Sequence, residues 1–235
     1  MGSLLIDIGN SSTTLAQYEE KMVSPLVTLP TPVFESVYSD YLLKTYRRVV
    51  VSSVVPRIDQ KLKSAHSSVV FIDASNIPLL KIKMNEPREV GADRLVNALG
   101  AYDLAKKSCL IVDSGTAVTF CYVDKEGVYQ GGGIFPGMTI ASQALHLYTA
   151  KIPLIHVAPV TALYGKSTKE AVQIGLYRGF IYLINGMIYD YKQVDPDVAV
   201  IGTGGGLAVL QNQLKLEAYI PDLIFRGLAL CADQE

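Results

Sequence analysis

The chain has 235 residues, 49% of them hydrophobic, with 21 basic against 22 acidic side chains and a formal net charge of −1. That length gives one large domain or two small ones with ample core, and the charge balance offers no electrostatic ground for nucleic acid or an anionic membrane as partner. Three cysteines without disulfide or zinc spacing, no apolar run fit to span a membrane and no signal-peptide pattern lead to the expectation of a reduced, cytoplasmic protein.

The first predicted element is an apolar strand, "LLID", that ends on Asp7 and runs into Gly9, Asn10 and four hydroxyls, Ser11, Ser12, Thr13 and Thr14. Gly and Asn suit a tight turn. The hydroxyls and unhindered amides also suit the oxygens of a polyphosphate. Farther on, Leu95, Leu99, Tyr102 and Ala105 mark one face of an amphipathic helix, with Gly91-Ala92-Asp93-Arg94 at its N-terminus. Asp93 reads either as the helix N-cap or as a carboxylate kept ionised by the helix end, placed to orient a substrate hydroxyl for phosphoryl transfer. Arg94 carries the planar fork that grips a carboxylate.

"CLIVDSGTAVTFCYV" (Cys109–Val123) repeats the grammar of the opening. Asp113, Gly115 and Thr119 stand where Asp7, Gly9 and Thr13 stood, a little under half the chain later. A strand–turn–strand signal repeated at half-length predicts two similar domains, 1–107 and 108–235, whose turns face one cleft. Carboxylates at the two strand ends could hold a cation against phosphates there.

"YGKST" (Tyr164–Thr168) lacks the first glycine of a Walker A loop, because Val160 stands in its place. Ser167 with Glu170 reads instead as a capping box opening a helix over Lys169–Tyr191, in which Gly175 and Gly179 form a close-packing face. Last, "VAVIGTGGGLAVLQNQL" predicts a strand over Val198–Ile201, a glycine turn over Gly202–Gly206, and a helix carrying Leu207, Leu210 and Leu214.

Taken in order, Asp7-Ile8-Gly9-Asn10, Gly91-Ala92-Asp93-Arg94, Asp113-Ser114-Gly115-Thr116-Ala117 and Gly132-Gly133-Ile134-Phe135-Pro136-Gly137 resemble the motifs of type III pantothenate kinases. The resemblance covers nearly the whole chain, with "SSVVP" (Ser52–Pro56), "GTGGG" and "DLIFRGL" (Asp222–Leu228) matching too. It implies an α/β fold of duplicated ribonuclease-H-like domains, as in actin, Hsp70 and sugar kinases, with an interdomain cleft. It also implies ATP-dependent phosphorylation of pantothenate to 4'-phosphopantothenate, the first step of coenzyme A biosynthesis, by a homodimer using Mg²⁺ and a monovalent cation, K⁺ or NH₄⁺.

Carried over residue by residue, the resemblance assigns ATP to Asp7, Ile8, Gly9, Asn10, Ser11, Ser12, Thr13, Thr14 and Thr116, with Asp7 near Mg²⁺. It makes Asp93 the proton acceptor, lines the pantothenate site with Gly91, Ala92, Asp93, Arg94 and Thr168, and gives Asp113 the monovalent cation. Three positions depart from the family pattern. Ser11 replaces a threonine, Cys121 stands where aspartate is common, and Met84 where a tyrosine contacting pantothenate is common. The competing readings are another small-molecule kinase of the superfamily and a non-catalytic regulator. The presence of Asp7, Asp93 and Asp113 together weighs against the second.

Overall fold

The computed structural model describes residues 2–42, 46–65 and 68–234. In chain order it contains β1 (Ser3–Ile8), β2 (Ser12–Glu19), β3 (Met22–Pro30), α1 (Thr31–Leu42), β4 (Val49–Ser53), α2 (Pro56–Ala65), β5 (Val69–Phe71), β6 (Lys81–Ile82) and α3 (Ala92–Ala105). There follow β7 (Cys109–Ser114), β8 (Ala117–Val123), β9 (Val128–Pro136), α4 (Met138–Leu147), α5 (Thr168–Val194), β10 (Ala199–Thr203), β11 (Ala218–Tyr219) and α6 (Leu223–Ala232). None of the helices among the described residues is long and apolar enough to cross a membrane.

Packing divides the chain into two compact units, Met1–Lys106 with Val123–Gly131 and Asp222–Glu235, and Lys107–Tyr122 with Gly132–Pro221. A single cut after residue 107 would put Val123–Gly131 and α6 on the second side. They pack with the first because β9 starts by pairing with β6, and α6 rests on α3, β1 and β4.

The sheets run β3-β2-β1-β4-β5 and β11-β10-β7-β8-β9-β6. Apart from the two-residue β6 the orders are the same, with β4 parallel to β1 and β10 parallel to β7. The duplication read from two turns therefore extends to whole sheets. Strands β1 and β7 are central and covered on both faces, which is why each reads as a continuous apolar run rather than an alternating one. Every residue of β1 is buried except the half-buried Asp7, and every residue of β7 except the half-buried Asp113.

The repeat is one residue out of step beyond the turns. The burial pattern that starts at Thr13 in β2 recurs from Val118 in β8, so Thr13 corresponds to Val118 and not to Thr119. The first turn is longer: Gly9 N–H donates to Ser12 O, whereas Gly115 N–H donates to Ala117 O.

In the first unit Leu4, Ile6 and Ile8 pack with Val49 and Val51 against Phe34 of α1 and Ile58 and Leu62 of α2. Side chains alternate along a strand, so Leu5, Asp7, Val50 and Ser52 point to the other face, toward α3 and α6. In the second unit Leu110 and Val112 join Phe180, Ile184 and Ile188 of α5 in a separate core.

Two predicted elements come out differently. The glycine turn after β10 leads into two short 3-10 turns, Gly205–Val209 and Gln211–Gln213, and not into an α-helix. Leu207 and Leu210 are three apart, the repeat of a 3-10 turn, and both are fully buried without α-helical geometry. In α5, Ser167 Oγ accepts the Glu170 N–H at 3.2 Å as expected, while the Glu170 carboxylate accepts the Lys166 N–H at 2.7 Å. A Cβ at Gly175 or Gly179 would find nothing within 4 Å, so these glycines are not a close-packing face within the chain.

Helices α3 and α6 cross at two glycines. A Cβ on Gly100 would fall 2.9 Å from Leu223 O, and one on Gly227 would run into Val96 O. The Arg226 guanidinium also reaches Asp103 on α3 at 2.6 Å, an exposed pair of small value. Gly227→Ala should therefore destabilise the protein by about 1–3 kcal/mol, the usual cost of overpacking. Removing Arg226 instead should cost well under that, and chemical denaturation of both variants compares them directly.

Candidate active site

In the first unit β1 delivers Asp7 to the end of the sheet, and the turn Gly9–Ser12 continues from it. Asn10, Ser11 and Ser12 are exposed. The two threonines beyond them are engaged in the sheet: Thr13 Oγ1 is buried 3.1 Å from Thr31 Oγ1, and Thr14 Oγ1 lies 3.1 Å from Thr28 Oγ1. Thr31 Oγ1 in turn donates to Gly9 O at 2.6 Å, clamping the base of the turn. Ile8 belongs to the core and can offer a ligand only its backbone.

Val54 connects this turn to the head of α3. Its N–H donates to Ile8 O at 3.1 Å, and its Cγ1 lies 3.6 Å from where a Gly91 Cβ would stand. Asp7 and the N-terminus of α3 are therefore neighbours on one face of the sheet. The N-cap of α3 is Gly91, with no side-chain cap. Asp93 is thus not the N-cap. It stands in the first turn, and its Oδ1 accepts the Arg94 N–H at 2.8 Å. The same Oδ1 lies 2.6 Å from the position of a Gly91 Cβ, so glycine at 91 leaves the room into which the carboxylate folds.

Burial pushes the Asp93 carboxyl above its ordinary range, although the Arg94 N–H and guanidinium pull it down. Burial is the largest of these influences, so the carboxyl lies above its ordinary value despite the helix end. A carboxylate with a raised pKa is a better proton acceptor. The Arg94 guanidinium sits 6.0 Å over the ring of the fully buried Tyr129, a cation–π contact that fixes its direction. Ala92 is buried.

In the second unit Asp113 stands opposite Thr203 in the β7–β10 pairing, beside the glycine turn. Gly204 has φ +84, open to glycine and strained for other residues. A Cβ there would collide with Asp113 Oδ1 and lie 2.6 Å from Ser114 O, so glycine leaves both oxygens uncovered. Tyr219 donates to Gly204 O at 3.2 Å, and burial together with the Asp113 charge raises its pKa. Thr116 is exposed in the turn, and its carbonyl accepts the Gly137 N–H at the start of α4 at 3.0 Å. A hollow of about 420 Å³ lies alongside, walled by Met138, Gln143, Leu154 and His156 and floored by Gly205 and Gly206. Thr168 is the exposed first residue of α5.

Cys121 is buried in β8, and Met84 lies with its sulfur 2.8 Å from where a Gly131 Cβ would be. Among the described residues no three His, Cys, Asp or Glu side chains gather as a metal cage. Asp7 suits a divalent cation that takes its other ligands from phosphates and water, the usual habit of Mg²⁺. Asp113 with the Ser114 carbonyl is an all-oxygen donor set suited to a hard monovalent cation.

The family model of type III pantothenate kinase matches residues 3–190. A type III pantothenate kinase of Listeria innocua is 32% identical over 247 residues, covering 97% of this chain and 95% of its own. Among solved structures, a Campylobacter jejuni protein of the Baf family, described as a transcriptional activator, has a TM-score of 0.66 at 20% identity, covering 97% and 96% of the two chains. A Sinorhizobium meliloti protein described as a 2-dehydro-3-deoxygalactonokinase has a TM-score of 0.59 at 13% identity, covering 98% and 95%. The two structures show the fold: duplicated ribonuclease-H-like domains, as in sugar kinases.

A raised folded-state pKa means that ionising Asp93 costs stability once pH exceeds the unfolded value, and the cost is complete above the folded one. Asp93→Asn keeps an oxygen for the Arg94 N–H and removes that cost. The variant should melt at or above the wild-type temperature at neutral pH. The gap should close as pH falls to the ordinary aspartate range. Calorimetry over that range reads the difference, and an Asn variant that melts well below wild type at neutral pH would contradict the burial account.

Proposed function

This chain belongs to the type III pantothenate kinase family, and on that premise we propose that it transfers the γ-phosphoryl group of ATP to the hydroxyl of pantothenate. The products are 4'-phosphopantothenate and ADP, and the setting is the first step of coenzyme A biosynthesis in the cytoplasm. The observation that carries the reading is the Asp93 carboxyl, folded over Gly91 with a raised pKa on the sheet face that also bears Asp7.

In this reading the exposed turn residues Asn10, Ser11 and Ser12, with the amides of the turn, hold phosphate oxygens of ATP. Thr116 keeps the ATP contact that the family resemblance gives it. Thr13 and Thr14 act through the turn they brace, since their hydroxyls face Thr31 and Thr28. Asp7 would hold the divalent cation, which when bound neutralises phosphate charge. Asp93 accepts the hydroxyl proton as the oxygen takes the phosphoryl group. The loose transition state makes alignment matter more than basicity. Arg94, steadied on Tyr129, grips the pantothenate carboxylate, and Gly91 and Ala92 line that site. Asp113 holds K⁺ or NH₄⁺ with the Ser114 carbonyl. The likeness to a protein described as a transcriptional activator, at 20% identity, supports only the shared fold.

The enzyme works as a homodimer through α5. Gly175, Gly179, Tyr182, Gly186 and Tyr189 follow one another at spacings of four and three, the pattern of a helix–helix seam. The tyrosines are 62% and 59% exposed, and a Cβ at any of the three glycines would meet nothing within 4 Å. A second copy would seat its tyrosines against the glycines.

An ADP-release assay with pantothenate and Mg²⁺ should give turnover that pantothenate alone among small alcohols and hexoses elicits, and that rises when K⁺ or NH₄⁺ replaces Na⁺. Asp93→Asn should lose about 10²–10⁴-fold in kcat with pantothenate still bound. In wild type kcat/KM should fall as pH drops through the raised Asp93 pKa, because the ionised form is the acceptor. A hexose-specific signal would overturn the substrate, and equal rates in the three salts would overturn the Asp113 cation.

Light scattering should give twice the 25.5 kDa chain mass for wild type. Gly179→Arg, which has open space in one copy, should give a folded 25.5 kDa particle. A wild-type monomer would end the homodimer reading. A dimeric Gly179→Arg would move the interface off α5.

A further inference from the structure

The motif "SSVVP" carries no role in the reaction so far, and the structure accounts for all of it except one residue. Ser53 Oγ accepts the Val55 N–H at 3.1 Å just ahead of α2. Val54 bridges Ile8 and Gly91 as described. Val55 and Pro56 turn the chain into α2, with Val55 in the core. Ser52 remains. It is 0% exposed, and its Oγ has no hydrogen-bond partner among the described residues. Val49, Val50 and Val51 precede it in β4, so a merely space-filling position had an apolar solution at hand. Buried hydroxyls are almost always paired, and one that is not calls for a reason.

The sheet register supplies one. Ser52 is the direct parallel neighbour of Asp7. Paired residues of adjacent strands present their side chains on the same face, here the face that carries α3 and the Asp93 carboxyl. We infer that Ser52 is a positioning residue for Asp7: its hydroxyl, unpaired among the described residues of the free protein, donates to the Asp7 carboxylate once the nucleotide-bound divalent cation draws that carboxylate into place, and so fixes the direction in which the two meet. Outer partners of this kind orient a ligating carboxylate and raise its affinity for metal. The inference rests on the assignment of Asp7 to the divalent cation, and goes beyond it by naming what holds Asp7 in place.

Calorimetric titration of a non-hydrolysable ATP analogue, with Mn²⁺ and with EDTA, tests this on the whole protein. The readout is the metal-dependent gain in nucleotide affinity. Ser52→Ala should keep the affinity measured in EDTA, lose about tenfold of the gain, and melt no lower than wild type, since it removes an unpaired buried hydroxyl. Asp7→Asn should lose the gain, and the double variant should match Asp7→Asn alone, as expected when one residue acts through the other. If Asp7→Asn lacks the gain while Ser52→Ala retains it in full, Ser52 is only a core residue. A Ser52→Ala variant weakened equally with and without metal, or melting lower, is a packing defect and also overturns the inference. If Asp7→Asn keeps the gain, the assignment of Asp7 fails, and the role of Ser52 with it.

Discussion

The parallel pairing of β1 with β4 fixes the positions of groups that have no direct bond to one another. Register sets Asp7 beside Ser52, and the next residues carry the chain from Ser53 into α2 and from Val54 across to Gly91. Because Leu4, Ile6 and Ile8 are committed to the core under α1 and α2, Asp7 has no choice of face. A slip of one residue would turn the carboxylate into that core and take Leu4, Ile6 and Ile8 out of it. The burial of the strand is therefore what aims its one polar group.

The same economy governs Asp93. A helix N-terminus favours a nearby anion by only about 0.3–1 kcal/mol. Burial outweighs it, and the carboxyl is raised from its ordinary value. A carboxylate kept only to cap a helix would do better exposed. Glycines at 91, 100 and 227 make the crowding possible: one leaves space for the carboxylate, and two let the helices approach.

Much of this was legible in the sequence. Apolar strands ending in aspartate, the amphipathic period of α3 and the Ser167–Glu170 signal at the start of α5 are local patterns, and local physics decides them. What was not legible depends on partners far along the chain. Asp93 has the composition of an N-cap, but Gly91 takes that place, a difference of two residues that φ and ψ decide and spacing does not. Thr13 and Thr119 share a motif position, yet a turn one residue shorter shifts β8, so the equivalent of Thr13 is Val118. Leu207, Leu210 and Leu214 have helical spacing that burial satisfies through 3-10 turns. Tyr129 under Arg94 and Ser52 beside Asp7 carry no sequence signal, since each is defined by a strand neighbour.

The duplicated aspartates illustrate how one local rule yields two surroundings. Asp7 and Asp113 end identically buried strands at the same place in identically ordered sheets. Their parallel neighbours differ: a serine for Asp7, and Thr203 followed by the left-handed Gly204 for Asp113. Beside Asp113 the glycine turn brings backbone oxygens and the Tyr219 hydroxyl into reach, a crowded, carbonyl-rich surrounding that suits a cation shedding its water. Beside Asp7 the turn offers amides and exposed serine hydroxyls, donors that suit phosphate oxygens. The strand decides that a carboxylate stands there, and the turns beside it decide which groups surround it.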